Sequence, residues 1–383
     1  MKKYILILLL LLSGCQNYSE LNQLAIVTAA GIDKDKGKYE VSVLIANSPK
    51  VNSSNKEGEA KTTVYKAKGK TIGEAIKMIE LKSPKELYFS HINCIIISDE
   101  IGKEGFLKVA DYFMRNPETR NRFYLLQIDK GKSSDVLKII SPLESYPSQS
   151  IKTLIESSQT SSNIGDSASY SNFIGKTIQK GYDPIMTTIK INGDKDKGSK
   201  ESNLETTEPN TYLSMGPIAI YKNDKFKRLS SNKETELIRV LNNENKELNY
   251  SFKYKEKNVN MFSNMTKTSI KLIDKNFISV DIYIKGDIFE TDSNVNLNDY
   301  KEVYKINKKW QKNIKKDVKK LIDKIKHKWK CDIFGFGNMV YKKYPDYYKN
   351  FKLDKINVNV KVKTEIISTG SLTKAIKEDK WKI

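Results

Sequence analysis

The stretch LYFSHINCIII, residues 87–97, decides the fold class. It closes on Cys94-Ile95-Ile96-Ile97 without polar alternation, the pattern of a strand buried on both faces. Such a strand needs helices on both sides of its sheet, and the neighbouring sequence supplies them. Upstream, Thr71 to Leu81 reads as a helix: Thr71 caps it, Glu74 stands three residues on as in a capping box, and Ile72, Ala75, Ile76 and Ile79 share one face. Downstream, Gly105 to Met114 reads as the next helix, Arg122 to Ile128 as a strand, and Ser133 to Ile140 as a short helix with a serine start. Nearer the N-terminus, Leu24 to Gly31 and Tyr39 to Ala46 flank the turn-forming cluster Asp33 to Lys38 and predict a hairpin. A polar loop, Val51 to Lys61, then leads to a strand from Thr62 to Lys68. Strands alternating with helices predict an α+β or mixed α/β fold, with mixed sheets packed by helices.

Two later segments break this rhythm. Ser157 to Asn172 is dominated by Ser, Thr, Asn and Gly, and Asn192 to Asn210 is charged and nearly devoid of apolar side chains. The main domain boundary is expected in the second, because such a segment cannot bury enough surface to offset its ordering entropy. Beyond it, Met215 to Tyr221 and Asp224 to Leu229 resume strand character, Glu234 to Asn242 reads as a helix, and Tyr250 to Tyr254, Ser269 to Ile273 and Ile278 to Ile284 read as strands.

The longest predicted element is a helix from about Asn298 to Trp329. Val303, Ile306, Trp310, Ile314, Val318, Leu321, Ile325 and Trp329 recur at three- and four-residue steps and form one apolar stripe. Between Lys301 and Lys330 stand 13 lysines, against Glu302, Asp317 and Asp323. One face therefore packs and the other is cationic, either as a solvated face or as a surface for lipid headgroups or an acidic partner. Ile356 to Ile367 alternates apolar and polar residues and predicts a half-buried strand packed by that helix. Between them, Phe334-Gly335-Phe336-Gly337 predicts a chain reversal in which the glycines let the helix end with positive φ and the phenylalanines bury against the sheet.

The first fifteen residues carry a different message. Lys2 and Lys3, the apolar run Ile5 to Leu12, and Leu12-Ser13-Gly14-Cys15 have the order of a lipoprotein export signal cleaved before Cys15. Eight apolar residues rise only about 12 Å as a helix against a hydrocarbon core of about 30 Å, so the run cannot remain as a spanning anchor. A diacylglycerol on Cys15 is expected to hold the mature chain instead, since two acyl chains suffice for stable anchoring. No later stretch approaches eighteen consecutive apolar residues.

The formal net charge is +21, or +19 without Lys2 and Lys3, and the excess is mainly lysine. Lysine offers point charges rather than the bidentate fork of arginine, and an exported, tethered chain does not meet nucleic acid, so no nucleic-acid partner is expected. Lysine can also reflect an AT-rich genome, or attract the chain to an anionic bilayer. Of the three cysteines, Cys94 and Cys331 remain after Cys15, and no disulfide is proposed.

Signals for chemistry are sparse. Gly69-Lys70-Thr71, Gly131-Lys132-Ser133 and Gly175-Lys176-Thr177 resemble the end of a phosphate-binding loop, but Val64, Leu126 and Tyr170 stand where its first glycine belongs. The two histidines, His91 and His327, lie in different predicted domains and do not encode a zinc site. Asp33 and Asp35 read as turn chemistry. No catalytic residue, metal or cofactor is expected.

Together the motifs resemble the spore-germination lipoprotein family, the C subunit of germinant receptors. The resemblance rests on Gly14-Cys15, Tyr18, Glu20-Leu21 and Leu24-Ala25-Ile26-Val27 to Gly31-Ile32-Asp33; on His91, Gly105, Arg115-Asn116-Pro117-Glu118 and Arg120; and on Gly216-Pro217-Ile218-Ala219-Ile220-Tyr221 with Lys233-Glu234-Thr235. Most specific is Asp332 to Pro345, with Phe334-Gly335-Phe336-Gly337 and Lys343-Tyr344-Pro345. Gln16 and Asn17 depart from the Trp and Asp usual after the family's lipidated cysteine. The resemblance implies a non-enzymatic ectodomain of three mixed α/β domains, anchored on the outer face of the spore inner membrane beside integral A-type and B-type receptor subunits. The expected organisation is a signal peptide over 1–14, a lipid-anchored leash over 15–23, an N-terminal α/β domain with polar loops near its end over 24–197, a middle domain over 209–275 and a C-terminal domain over 276–383. Asp332, Phe334, Gly335, Phe336, Gly337 and Pro345 are expected to be structural motif residues. The alternative is a substrate-binding lipoprotein of a transport system, which needs the same signal but two similar lobes around a cleft.

Overall fold

β1 (Leu24–Asp35) is the strand around which the larger sheet of this computed structural model is built. The structure describes residues 21–370, apart from 48–59, 121, 145, 163–164, 245 and 293–294, so Cys15 lies outside the described residues. On one side of β1 lie β2 (Lys38–Ala46) and β3 (Thr62–Gly69), both antiparallel to their neighbours. On the other side follow β4 (Glu86–Tyr88) and β5 (Cys94–Ile97), both parallel to β1, then β6 (Tyr124–Ile128) and β7 (Ile185–Gly193), also parallel. The stretch 87–97 is thus two strands rather than one. Ile92 closes a turn on the Phe89 carbonyl and the Ser90 hydroxyl donates to the Glu118 carbonyl, which lifts the intervening residues off the ladder. Cys94 to Ile97 are buried, as their apolar run predicts.

The structure adds to the expected elements in three places. First, the helix expected over 105–114 forms as α3 (Leu107–Arg115), but an unexpected short helix, α2 (Asp99–Glu104), precedes it and ends at Gly105, φ +121; both follow α1 (Ile72–Glu80), whose Thr71 cap accepts from the Glu74 N–H at 3.1 Å. Second, after the single turn of α4 (Ser133–Val136), the Ser- and Asn-rich stretch 157–172 is largely helical: α5 (Pro147–Ser162), α6 (Gly165–Ala168) and α7 (Tyr170–Ile178). Ser169 caps α7 and Tyr170 and Phe173 are buried, so polar side chains serve as caps there.

Third, the larger sheet does not stop in 192–210, where the boundary is expected. After the short α8 (Lys195–Gly198), β8 (Thr211–Lys222) returns antiparallel to β7, and β9 (Lys225–Leu229) closes the edge. The polar segment is ordered by hydrogen bonds instead of apolar burial. Buried Asn203 donates to the Ile140 and Thr211 carbonyls at 3.0 and 2.9 Å and accepts from the Thr211 N–H at 3.0 Å.

α9 (Asn232–Leu241), started by a Ser231/Glu234 capping box, leads into the second sheet. There β10 (Leu248–Tyr254), β11 (Lys257–Asp274) and β12 (Phe277–Thr291) form an antiparallel meander, and β13 (Asn357–Ile366) lies parallel to β12. β11 and β12 are far longer than expected because bulges at 260/261 and 263/265 interrupt the alternation that marks a strand. α10 (Tyr300–Asp323) continues through a π turn to Trp329 and lays Ile306, Trp310, Ile314, Val318 and Leu321 on this sheet. The Asn307 carbonyl side chain accepts from Thr364 at 2.6 Å and Gln311 donates to the Val362 carbonyl, tying the helix to β13. The helix ends at Lys330, φ +55, and not at a glycine. The apolar cluster under α10 also takes in Ile185, Ile218 and Ile220 of the larger sheet, so the two sheets share a core.

Candidate functional site

The chain leaves α10 through buried Cys331 and enters the Asp332 turn. The Asp332 carboxylate accepts from the Phe336 N–H at 2.9 Å and the Gly337 N–H at 2.6 Å. It therefore caps α11 (Phe336–Lys343), whose own N-cap, Gly335, has no side chain to do so. Gly335 is left-handed, φ +69, and a Cβ there would meet the Tyr182 ring. Phe334 and Phe336 are buried with ring centroids 5.8 Å apart. Pro345 occupies the first turn of α12 (Pro345–Tyr348), where its missing N–H costs no hydrogen bond. All six motif residues thus fall on one turn and the two helices it starts.

The turn is docked on a part of the larger sheet that the sequence did not single out. The Asp183 carboxylate accepts from the Asp332 N–H at 2.6 Å, the Lys222 ammonium at 2.8 Å and the Asn223 N–H at 2.9 Å. In return the Asp183 N–H donates to the Asp332 carbonyl at 2.9 Å. Asn338 adds two bonds, from its backbone N–H to the Gly181 carbonyl and from its side-chain amide to the Lys180 carbonyl, both 2.9 Å. The backbones touch where Gly181 faces Gly337: a Cβ on Gly181 would stand 2.5 Å from the Gly337 carbonyl carbon. An open cavity of about 460 Å³ lies beside this seam, lined by Asp183, Lys222, Asp332, Tyr348 and Phe351 among others. The signal for the partner strand was Gly181-Tyr182-Asp183-Pro184, a turn-forming run of the kind that ends one element and begins another.

Electrostatically the seam is a buried pair of carboxylates with one cation. Burial pushes the Asp332 carboxyl up to about 7, against the two N–H donors, with Asp183 adding to the rise and Lys222 opposing it. Burial works against the Lys222 charge, but Asp183 outweighs it and the ammonium is held above its ordinary value. Burial lifts the Cys331 thiol to about 11 and the Cys94 thiol to about 12; both are free thiols. His91 is exposed beside the Tyr88 ring, and half-exposed His327 stands 3.5 Å from Asp323, so neither histidine meets the seam. What the arrangement does is hold a turn on a sheet through backbone donors.

A buried carboxylate in the other half of the chain corrects the reading of Asp33 as turn chemistry. Asp33 lies within β1 and accepts from the Ser133 and Ser134 N–H groups of α4 at 2.8 and 3.2 Å. Burial raises its carboxyl above the ordinary value, against those two donors. Asp35 does sit at the turn, paired with Lys68.

Comparison with known proteins covers nearly the whole chain. A family model described as "Spore germination protein N-terminal domain" matches residues 17–191, and one described as "Spore germination B3/ GerAC like, C-terminal" matches residues 216–370. Spore germination protein KC of Bacillus subtilis (strain 168) is 26% identical, with 98% of each chain covered. Spore germination protein B3 of the same organism is 23% identical over 90% of this chain and 89% of that one. The crystal structure of the GerBC protein covers 92% of this chain and 100% of that chain with a TM-score of 0.52 at 17% identity, a likeness of fold.

Proposed function

The chain belongs to the spore germination protein family, whose N-terminal and C-terminal domain models it matches in order, and from this we propose its role. Its role is that of the C subunit of a germinant receptor, non-catalytic and anchored by a diacylglycerol on Cys15 to the outer face of the spore inner membrane. The carrying observation is the end-to-end match to a spore germination protein, 98% of each chain, behind a lipoprotein signal that ends at Cys15. The polar machinery at the seam fits this reading, because its carboxylates are taken up by backbone donors rather than aimed at a substrate. Anchoring beside integral A-type and B-type subunits raises the effective concentration of the ectodomain, so that modest contacts assemble the receptor.

Cys15→Ala tests it. Spores carrying the variant are expected to lose germination with nutrients while non-nutrient triggers still act; an unchanged nutrient response refutes the proposal. The transport reading makes the opposite demand, tight binding of an amino acid or sugar by the chain alone in calorimetry. Its two similar lobes are not among the described residues, where one sheet has nine strands and the other four.

A further inference from the structure

The outer face of α10 is dense in lysine, with one exposed acid, Asp323, at its C-terminal end. Lys305, Lys309, Lys312, Lys316, Lys319 and Lys320 project from the side opposite the buried Ile306–Trp310–Ile314–Val318 stripe. The helix carries three acids: Asp323, its last residue, stands 3.5 Å from His327, and the other two are turned aside. Glu302 is held by Lys255 at 2.6 Å and Asp317 by Lys233 at 2.7 Å, lysines supplied by neighbouring elements. Among the described residues none of the six outer lysines has a carboxylate within ion-pair distance. Several are spaced i, i+4 on one helix, an arrangement in which like charges repel. At the N-terminal end of the helix, on the flank beside the lysine face, Tyr300 is 79% exposed and Tyr304 49% exposed, with their rings stacked at 6.4 Å and the Lys308 ammonium 5.3 Å from the Tyr304 ring.

We propose that this face docks on a bilayer surface carrying anionic phospholipid headgroups. A stripe whose cations are all lysine suits that partner better than an oriented protein surface: ammonium groups on flexible stems meet a diffuse sheet of phosphate without fixed geometry. Exposed tyrosines suit it too, since their amphipathic rings settle at headgroup level. The inference rests on the proposed Cys15 anchor only for proximity, which a leash of a few residues, each spanning at most about 3.6 Å, would enforce.

The test uses the lipidated full chain in vesicles of phosphatidylcholine with or without phosphatidylglycerol, labelled with a limiting amine reagent and read lysine by lysine by mass spectrometry. With phosphatidylglycerol the six lysines should label about five-fold more slowly, the effect of one lysine's attraction to the surface. Lys77 on α1 serves as the internal control. The protection should vanish at about 1 M salt, where the Debye length falls to about 3 Å. Replacing Lys305, Lys309, Lys312 and Lys316 together by Gln should expose Lys319 and Lys320 as well. Equal labelling in both vesicles overturns the proposal. Protection seen only in native spore membranes also overturns it and assigns the face to an acidic protein. A chain that floats only with phosphatidylglycerol, in a salt-sensitive way, upholds docking and removes the anchor; a chain that floats with neither vesicle defeats both.

Discussion

Asp33 and Asp332 do the same job in the two halves of the molecule, over different distances. Each is buried, and each accepts from two consecutive backbone N–H groups at a helix start. Each has a glycine where the backbone must come close: a Cβ on Gly31 would stand 2.7 Å from the Ser133 hydroxyl, and one on Gly337 would stand 3.2 Å from the Asp332 carboxylate. Asp33, however, reaches 100 residues along the chain to α4, whereas Asp332 reaches only to its own turn, and Asp183 carries the connection onward. The cap at Asp332 can form as soon as the chain turns. The cap at Asp33 must wait for β5 and β6 to settle beside β1, a closure of long sequence separation. The same chemistry therefore makes a local element in one half and fixes topology in the other.

Breaking the two caps should expose that difference. Asp332→Ala is expected to have the largest effect, about 4 kcal/mol, since each buried N–H left without an acceptor costs about 1–3 kcal/mol and the turn also holds the seam. Urea unfolding measures the loss. Hydrogen exchange should locate it at the amides of Asp183 and Asn338, across the seam. Asp33→Ala should cost somewhat less, about 3 kcal/mol, because the single turn of α4 can shift to find new acceptors. Its faster exchange should appear at Ser133 and Ser134, leaving the Asn338 amide protected. Identical exchange maps for the two variants would erase the distinction between a local and a topological cap.

Smaller changes sharpen the comparison on the Asp332 side. Gly337→Ala would place a Cβ 2.9 Å from the Phe351 ring edge and 3.2 Å from Gly181, and the overpacking should cost about 2 kcal/mol. Asn338→Ala removes only the bond to the Lys180 carbonyl and should cost about 1 kcal/mol. If Asn338→Ala proved the more damaging of the two, close backbone approach would not be what holds the seam.

Much of this is legible in the sequence, and what is not legible shares a cause. The Cys94–Ile97 strand, the α10 stripe and the Thr71 cap were visible because each is written in neighbouring residues at a fixed period. The glycines of the motif have a reason in the sequence, the chain reversal, but Asp332 has none. Part of the reason for this turn lies in Lys180, Gly181, Asp183 and Lys222, far away along the chain and without a period to mark them. Asp33 reads as turn chemistry because a carboxylate among lysines looks the same whether it faces water or a helix start. The sheet's passage through 192–210 was hidden because hydrogen-bonded order, as at Asn203, leaves no apolar trace.

The finest contrast between the two carboxylates is in their titration. Burial lifts Asp332 from 3.8 to about 7, and it raises Asp33 as well, there with Glu40 adding to the rise. A carboxyl whose affinity for a proton rises on folding favours the folded state in its protonated form. The contribution of Asp332 is therefore complete below 3.8 and is lost as pH climbs through about 7. Asn cannot titrate, so the stability of the wild type relative to Asp332→Asn should decline across that window in urea unfolding. Asp33→Asn should show the same sign. The seam should show the steeper decline, because a second buried carboxylate, Asp183, faces Asp332 and makes the charged form harder to hold despite Lys222. A wild-type advantage over Asp332→Asn that grows as pH rises would mean that the two N–H donors outweigh burial at this turn, and that Asp332 works there as an anion.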